Sequence, residues 1–416
     1  MKNRLVFLTK TFPFATGEEF IANELPVTAR EFEKVILIAT SVPDGAVQTR
    51  PVPENTEVHT IFASSVKKAL LPGAVKNFFA CPAEFRNEQE KRAIGSAPLR
   101  RLYFSYVLAK GLAVARKASE ILAGTDLSEA DAVTFYSYWL YDTALAALML
   151  KRGCRAPRCR AFSRAHNYDL YPAHNSVNYL PLRPYLLQNL DGVFPCSENG
   201  SGYLKTNYPQ CADKVATSYL GTIDRGVGPH PGEGAIRMVS CCHITPIKRV
   251  ELFAQALAKL SGSGLKLEWT HFGGGDGLEA LKKYASENLG FMKVEFAGEV
   301  KNPDLMEFYR TTPVDLFVNT SSLEGLPVSI MEASSFGIPV VATDVGGTAE
   351  IVRDGKNGFL LTADFEPETL ARKIECICRM TEEDRNAMRL ASRKIWEENF
   401  NAKGNYERFA HTIDPD

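Results

Sequence analysis

The stretch "SLEGLPVSIMEASSFGIPVVATDVGGTAEIV" (322–352) decides the fold prediction, because its turn residues separate a short helical pattern from two apolar strands. The strand before it is "VDLFVNT" (314–320). Pro327 suits the first position of a helix, and Gly337 suits the position just past its end. We therefore predict a short helix over about 327–336, between two buried parallel strands.

The same alternation of strand and helix runs through the whole chain, and it occurs twice. Short apolar, β-branched runs separated by amphipathic helical patterns are typical of parallel sheets with crossover helices. The strands predicted in the first half are 3–10, 34–40, 56–63, 131–139, 158–166 and 191–197. Those predicted in the second half are 234–243, 266–275, 293–300, 314–321, 338–344 and 357–363. The Gly- and Pro-rich segment 221–234 lies between the halves, so we predict an α/β protein of two domains with a boundary near residue 225.

The composition excludes several classes of protein. The chain has 416 residues, 45% of them hydrophobic, and a formal net charge of -1, so no global basic field indicates a nucleic-acid partner. No apolar run approaches the roughly 18 residues of a membrane span. The nine cysteines are odd in number, scattered and without zinc-ligand spacing, which fits reduced thiols. We expect a folded cytoplasmic protein.

Two glutamates, Glu324 and Glu332, lie on either side of the predicted helix start. The free amides of a helix N-terminus attract phosphate, so this layout fits a ligand with a phosphate group in the middle and hydroxyls at both ends, such as a nucleotide sugar. The alternative is that Glu324 only favours the helix N-terminus by its charge and that Glu332 reaches solvent. Apolar neighbours surround Glu332, and a carboxylate in such surroundings needs a partner.

The segment "EGLPVSIMEASSFGIPVVATDVGGTAEIV" (324–352) resembles the signature of the retaining group 1 glycosyltransferases, family four of the sugar-nucleotide-dependent enzymes. That signature is E-x7-E followed by G-x-P-V-[VI]-A and G-G. The resemblance implies that Glu324 contacts the hydroxyls of the donor sugar at the catalytic centre and that Glu332 binds the donor ribose. It also implies that loop amides approach the phosphates at Gly325, Leu326, Pro327 and Val328.

A second motif, "VSCCHITPIKRVELFAQALAKL" (239–260), contains the predicted diphosphate contact. Thr245-Pro246 suits a helix start, which puts Lys248 in the first turn, where a cation is unfavourable unless an anion lies nearby. Lys248 resembles the lysine of the family's R-x4-K clamp, with Arg249 as a second candidate. His243 stands where the family has Arg, and it lacks the bidentate fork of that residue. A solvated lysine is the alternative.

In the first half, "FSRAHNYDLY" (162–171) resembles a His-Gly-x-Asp segment of enzymes that act on surface polysaccharides, with Asn167 in place of Gly. The resemblance implies that His166 faces the donor sugar as a catalytic residue and that Asp169 lies on the acceptor side. The alternative is a structural histidine.

The loop "TFPFATGEEF" (11–20) follows the first strand. It matches the family's loop next to the diphosphate and the acceptor through Thr16, Gly17 and Glu18, with Gly17 on the donor side and Glu18 on the acceptor side. An ordinary strand-to-helix turn capped by Thr16 is the alternative.

Residues 64–118 form a basic segment with eleven Lys and Arg against three Glu, a net formal charge of +8. Apolar residues interleave with these charges, and amphipathic basic segments lie on anionic membrane surfaces. We expect either peripheral contact with the inner face of the plasma membrane or a solvated helical face.

The resemblance as a whole implies the GT-B architecture, with two Rossmann-like domains facing a central cleft. Residues 1–224 would bind the acceptor, 225–395 would bind the nucleotide sugar, and a C-terminal helix at 396–416 would cross back to the first domain. The implied activity is retaining transfer of a sugar from a nucleoside diphosphate donor, such as a UDP-sugar, to a glycan or lipid-linked acceptor. The implied setting is the biosynthesis of a surface polysaccharide (capsule, O-antigen or exopolysaccharide), with no metal or other cofactor. The alternatives are a phosphorylase-like enzyme and a catalytically silent GT-B partner subunit that binds nucleotide or glycan.

Overall fold

The computed structural model describes residues 2–15, 17–125, 127–232 and 234–414. They form two compact units. One unit runs to Tyr219 and is completed by the segment that begins at Lys403, and the other is Leu220–Ala402. The division therefore lies a few residues before the predicted boundary. No helix within the described ranges is both long and apolar enough to cross a membrane.

The first unit contains a six-stranded parallel sheet in the order β3-β2-β1-β4-β5-β6. Its strands are β1 (Asn3–Thr9), β2 (Lys34–Val42), β3 (Thr56–Phe62), β4 (Ala132–Ser137), β5 (Arg158–Ala165) and β6 (Gly192–Pro195). Its helices are α1 (Ile21–Thr28), α2 (Ala63–Ala80), α3 (Glu88–Ile94), α4 (Pro98–Leu122), α5 (Asp142–Gly153), α6 (Arg183–Asn189) and α7 (Glu198–Asn207). All six strands lie where the hydrophobic pattern predicts them.

The apolar run of β1 explains why this sheet is covered on both faces. Every residue of β1 is buried. Val6 and Leu8 face one hydrophobic core, while Leu5 and Phe7 face another. Because successive side chains of a strand point to opposite faces, a continuous apolar run requires a packed layer on each side.

The second unit contains another six-stranded parallel sheet, in the order β12-β11-β10-β7-β8-β9. Its strands are β7 (Ile236–Cys241), β8 (Leu267–Phe272), β9 (Lys293–Gly298), β10 (Leu316–Asn319), β11 (Val340–Thr343) and β12 (Gly358–Leu361). The remaining helices are α8 (Val250–Ala258), α9 (Leu278–Asn288), α10 (Asn302–Thr311), α11 (Val328–Ser335), α12 (Thr348–Ile351), α13 (Pro367–Cys378), α14 (Glu382–Asn399) and α15 (Ala402–Ile413). These strands also match the predicted ones, and the α/β class with two parallel sheets is confirmed.

Both sheets have the same doubly wound order, and each has one point where the direction of winding reverses. In the first sheet this point lies between β1 and β4, and in the second it lies between β7 and β10. Ligands of open parallel sheets bind at the carboxyl ends of the strands at such a switch point. The loops after these four strands are therefore where functional residues are expected.

Buried aromatic side chains anchor the C-terminal segment. Trp396 belongs to the second unit, where its Nε1 donates a hydrogen bond to Thr222 Oγ1 over 2.7 Å. In the first unit, the Phe409 ring of α15 lies 5.1 Å from the Tyr136 ring. The part that packs in the first unit thus begins at Lys403 rather than at residue 396, and α14, which carries Trp396, belongs to the second unit.

Candidate active site

The switch point of the second sheet brings Lys248 and Glu324 together. Lys248 lies in the loop after β7, and Glu324 lies in the loop after β10. The Nζ of Lys248 donates a hydrogen bond to Glu324 Oε1 over 2.7 Å. The Glu324 side chain is only 11% exposed and that of Lys248 28%. The two residues therefore form a partly buried ion pair.

Hydrogen bonds between the two loops hold this pair in position. Thr320 Oγ1 donates to the carbonyl oxygen of Lys248 over 2.9 Å, and the amide of Ser322 donates to the carbonyl oxygen of Ile247 over 2.7 Å. Asn319, the last residue of β10, also directs its Nδ2 at Glu324 Oε1, 3.3 Å away. The carboxylate is thus oriented by an amide and a cation together.

The predicted helix start around Lys248 is wrong. The helix α8 begins at Val250, and Thr245 to Lys248 form a turn closed by a bond from the Lys248 amide to the Thr245 carbonyl oxygen, over 2.9 Å. Arg249 has a left-handed backbone (φ +47°), which interrupts any helix that would start at Pro246. Lys248 therefore precedes the helix instead of lying in its first turn.

The guanidinium of Arg249 binds acceptors of its own unit. Its Nε donates to the carbonyl oxygen of Thr320 over 2.8 Å, and its Nη1 donates to that of Ala363 over 2.7 Å. Its Nη2 has two longer contacts, each 3.4 Å, with acceptors at the ends of β10 and β11. Arg249 therefore ties the loops together, which leaves Lys248 as the cation beside Glu324. A contact between Arg249 and the donor stays a prediction.

The helix predicted after Glu324 is present as α11, with Pro327 as its N-cap and Gly337 just past its end at φ +75°. Gly325, Leu326, Pro327 and Val328 accordingly lie between Glu324 and the helix. The first amides of a helix have no partner within it, so those of Val328 and Ser329 are open to an anion. The predicted phosphate contacts at this loop stay predictions.

A glycine pair supports the Glu324 loop from the other side. The amide of Gly347 donates to the carbonyl oxygen of Gly325 over 2.7 Å. Gly346 has φ +56°, and a Cβ added there would lie 2.0 Å from the carbonyl oxygen of Glu324. The G-G element of the motif is therefore explained by the close approach of two backbones.

Glu332 lies on α11 and has a hydrogen-bond partner that the sequence did not indicate. Asn302, the first residue of α10, donates from Nδ2 to Glu332 Oε1 over 2.6 Å. Glu332 is half-buried, because it is partly open to solvent but closely surrounded by protein atoms. Burial raises the pKa of Glu332 to about 7, although the bond from Asn302 and the charge of Arg225 act in the opposite direction. The carboxylate changes charge near neutral pH.

His243 is exposed, in the loop after β7. Its Nδ1 lies 3.7 Å from Glu299 Oε1, and both side chains are largely solvent-accessible. The glycine-rich loop after β8 packs against the same region, since a Cβ on Gly273 would lie 1.9 Å from the carbonyl oxygen of Cys242. A role for His243 in donor binding stays a prediction.

In the first unit, Glu18 organises the loop after β1. Its carboxylate accepts the amides of Lys10, Thr11 and Phe12 over 2.7 to 2.8 Å and the indole Nε1 of Trp139 over 2.6 Å. Glu18 itself is buried, with φ +57°. Its carboxylate thus shapes the loop, and an acceptor contact stays a prediction.

Gly17 precedes Glu18 and is exposed, with φ +86°. The Nη1 of Arg50 donates to the carbonyl oxygen of Gly17 over 3.0 Å. Thr16, the predicted cap of this turn, lies outside the described residues. A donor contact by Gly17 stays a prediction.

His166 and Asp169 follow β5. Asp169 is fully buried and accepts the amides of His166 and Leu140, each over 2.8 Å. Burial opposes its ionisation, but His166 and these amides outweigh the burial and hold the pKa of Asp169 below its usual value. The His166 ring lies 4.6 Å from the rings of Tyr138 and Trp139. Its ring nitrogens have no hydrogen-bond partner within the described part of the chain, although Nδ1 is 4.0 Å from Asp169 Oδ2.

A lysine and aromatic cluster at the first switch point was missed by the sequence reasoning. Lys10 directly follows β1, and its Nζ contacts the hydroxyl of Tyr168 and lies 4.5 Å from that ring's centroid. The Trp139 and Tyr168 rings lie 4.8 Å apart. Burial lowers the pKa of Lys10, partly offset by Asp142. The signal that could have found Lys10 is its position at the carboxyl end of a central strand.

Comparison with known proteins identifies the segment that contains the ion pair. Residues 230–395 match the family model described as Glycosyl transferases group 1. We call this matched segment the group 1 domain. This group 1 domain contains Lys248, Glu324 and Glu332, and it also contains their partners Asn319 and Asn302.

Curated relatives match parts of the chain. The O-antigen biosynthesis glycosyltransferase WbnH of Escherichia coli is 39% identical over 118 residues, which cover 28% of this chain and 31% of WbnH. The putative colanic acid biosynthesis glycosyltransferase WcaL of Salmonella typhimurium is 26% identical over 219 residues, which cover 50% of this chain and 53% of WcaL. The chain thus spans about a third to a half of the length of these relatives.

Solved structures match over almost the entire chain. The apo form of the lipopolysaccharide outer core galactosyltransferase WaaB has a TM-score of 0.66 at 15% identity and covers 99% of both chains. HepE of Anabaena in complex with UDP has a TM-score of 0.65 at 16% identity, again with 99% of both chains covered. These likenesses confirm the predicted GT-B fold, with the group 1 domain as one of its two parallel-sheet domains.

Proposed function

We propose that this chain is a retaining glycosyltransferase that moves a sugar from a nucleoside diphosphate donor to a glycan or lipid-linked acceptor during surface polysaccharide biosynthesis. The observation that carries the proposal is the ion pair of Lys248 and Glu324, 2.7 Å apart at the switch point of the group 1 domain and next to the N-terminus of α11. The names of WbnH and WcaL, which refer to O-antigen and colanic acid, favour a polysaccharide product. The UDP bound to HepE favours UDP as the nucleotide.

The ion pair suggests how the donor is bound. Without a ligand, the charges of Lys248 and Glu324 neutralise each other. A donor diphosphate offers Lys248 a stronger partner, and the open amides at the start of α11 add to its binding. Glu324 then turns to the hydroxyls of the donor sugar, with Asn319 still directed at its Oε1.

The same groups act on the bond that breaks. When the bond from the anomeric carbon to the diphosphate oxygen cleaves, negative charge develops on the leaving diphosphate. In this proposal Lys248 and the helix amides face that charge and stabilise it without a metal. We propose that the acceptor hydroxyl attacks on the face from which the diphosphate departs, and that a diphosphate oxygen takes its proton.

Glu332 would bind the other end of the donor. An ionised carboxylate accepts two hydrogen bonds from adjacent ribose hydroxyls. The bond from Asn302 holds the carboxylate in place at 2.6 Å and favours its ionised form. Glu332 therefore serves as the ribose contact, most effectively above neutral pH.

His166 is the candidate in the first unit that contacts the donor sugar. Two aromatic rings, 4.6 Å away, hold its imidazole, and the amide of His166 is bound by Asp169. Both ring nitrogens are buried without a hydrogen-bond partner among the described residues, and hydroxyl groups of a donor sugar would supply one. In this proposal Asp169 positions His166, and the loop next to it has Gly17 on the donor side and Glu18 on the acceptor side.

The test is nucleotide release and sugar transfer with a panel of UDP- and GDP-sugars. We expect Lys248→Ala and Glu324→Gln to reduce turnover by at least about a hundredfold. Lys282→Ala is the matched control, because Lys282 forms an exposed ion pair with Glu279 over 2.8 Å on α9, and turnover should be unchanged. The anomeric configuration of the product, measured by NMR, should equal that of the donor.

Three results would contradict the proposal. Saturable donor binding with no nucleotide release from any donor would assign the chain to the catalytically silent binding subunits. An inverted anomeric configuration would refute the retaining mechanism. Loss of turnover in EDTA, restored by a divalent cation, would refute independence of metal.

A further inference from the structure

Two helices of the first unit, α2 and α4, have large apolar side chains on their solvent-exposed sides. In α2 these residues follow a spacing of four, and in α4 they follow spacings of three and four, so each set forms a stripe along one side of its helix. The two sets are Leu71, Val75 and Phe79 in α2 and Leu99, Leu102 and Tyr106 in α4. Leu71 is 74% exposed and Phe79 is 77% exposed. We call these six residues the α2–α4 surface.

The α2–α4 surface is not required to build the core. The opposite side of α2 is buried through Leu70 and Ala74, and that of α4 through Phe104 and Leu108. An amphipathic helix of a soluble domain normally presents polar residues on its outer side. The inner side of these helices packs in the protein core, and their outer stripe is also apolar. An exposed apolar stripe of this kind indicates that the outer side contacts another apolar partner.

The cations of the basic segment 64–118 differ in whether they form an ion pair with another described residue. Several are bound within the protein, for example Lys110 to the buried Asp142 over 2.8 Å. The lysines of α2 are Lys67, Lys68 and Lys76, all exposed and without an ion pair to any residue that the structure describes. The sequence from residue 63 to 83 contains no Asp or Glu. The apolar stripe of α2 is therefore flanked by three uncompensated positive charges.

We propose that the α2–α4 surface docks onto an anionic lipid bilayer. The apolar stripes enter the boundary between headgroups and acyl chains, and the three lysines of α2 contact the lipid phosphates. A bilayer fits these features because it offers a continuous apolar layer next to a layer of negative charge, so flexible lysines can reach phosphates from any orientation. This contact goes beyond the proposed transfer activity and does not depend on it.

Sedimentation of the full chain with lipid vesicles tests the proposal. We expect binding to phosphatidylcholine vesicles that contain about 30% phosphatidylglycerol, weak binding to pure phosphatidylcholine, and release as salt increases. Leu71→Gln/Val75→Gln/Phe79→Gln should weaken binding at least about tenfold. Lys67→Gln/Lys68→Gln/Lys76→Gln should weaken it by about fivefold or more for each lysine and remove the salt dependence.

The substitutions are at exposed positions, so the variants should fold, and thermal melting checks this. Leu390→Gln is the matched control, because Leu390 is an apolar residue, 64% exposed, on α14 of the second unit, and binding should be unchanged. Equal binding of wild type and both triple variants would overturn the proposal. A dimer in solution that the α2 variants abolish, without vesicle binding, would assign the surface to a second copy instead. No donor or acceptor is needed, so this outcome is separate from the failure of the proposed function.

Discussion

The pKa of Glu332 leads to the most direct prediction about donor binding. Burial raises this pKa to about 7, and the ionised carboxylate accepts hydrogen bonds from ribose hydroxyls more strongly than the protonated acid does. The ionised fraction of a group with that pKa rises from about one tenth at pH 6 to about nine tenths at pH 8. The affinity for an intact nucleotide sugar should therefore increase over this range, by up to about tenfold.

The assay is isothermal titration calorimetry with a UDP-sugar, whose diphosphate has no group that titrates between about pH 6 and 8. His243 is a second predicted contact to the donor, and its contribution is removed first. The measurement is therefore made in the His243→Asn background. Adding Glu332→Gln should make the affinity independent of pH, and adding Asn302→Ala should move the midpoint of the rise to higher pH, because the bond from Asn302 lowers this pKa.

Equal pH profiles with and without Glu332→Gln would refute the reasoning. Stability provides an independent check on the pKa itself. Because the pKa is raised in the folded state, the protonated form favours folding. That contribution is complete below the ordinary pKa of a carboxyl group and is lost as the pH rises through about 7. Glu332→Gln should therefore stabilise the protein at about pH 8, by on the order of 1 to 3 kcal/mol in urea unfolding.

Three further predictions concern the support of the site and of the fold. Arg249→Ala should lower the free energy of unfolding by about 1 to 3 kcal/mol in urea titrations, because the carbonyl oxygen of the buried Thr320 and that of the exposed Ala363 both lose a charged donor; unchanged stability would contradict its structural role. Gly346→Ala should abolish binding of a nucleotide sugar, since the new Cβ would lie 2.0 Å from the carbonyl oxygen of Glu324. Gly355→Ala, with φ +73° in open space, should preserve binding at a cost in stability of about 1 to 2 kcal/mol, and equal binding by the two variants would refute the argument. Phe409→Ala should cost about 3 to 5 kcal/mol in urea unfolding because its ring is buried in the first unit, and a loss below 1 kcal/mol would contradict its anchoring role.

Some features of the candidate site were predictable because they are local in sequence. The spacing of Glu324 and Glu332 and the bracketing of α11 by Pro327 and Gly337 depend only on residues within one motif. The twelve predicted strands were found because an apolar run between turn residues reports burial directly. The helix start at Pro246 was wrong for a local reason too, since the pattern gave no signal for the left-handed backbone of Arg249.

What the sequence by itself determined is the class of fold and the positions of the strands, because hydrophobic periodicity and turn residues act over a few neighbouring positions. Only the tertiary structure decided which polar groups meet. The pair of Lys248 and Glu324 joins residues 76 positions apart, and that of Asn302 and Glu332 joins residues 30 apart. It also decided that Arg249 donates to backbone carbonyl groups of neighbouring loops, whereas Lys248 pairs with Glu324. Such partners depend on which strands become neighbours at a switch point and on the orientation of each loop, and these are set by the packing of the whole sheet.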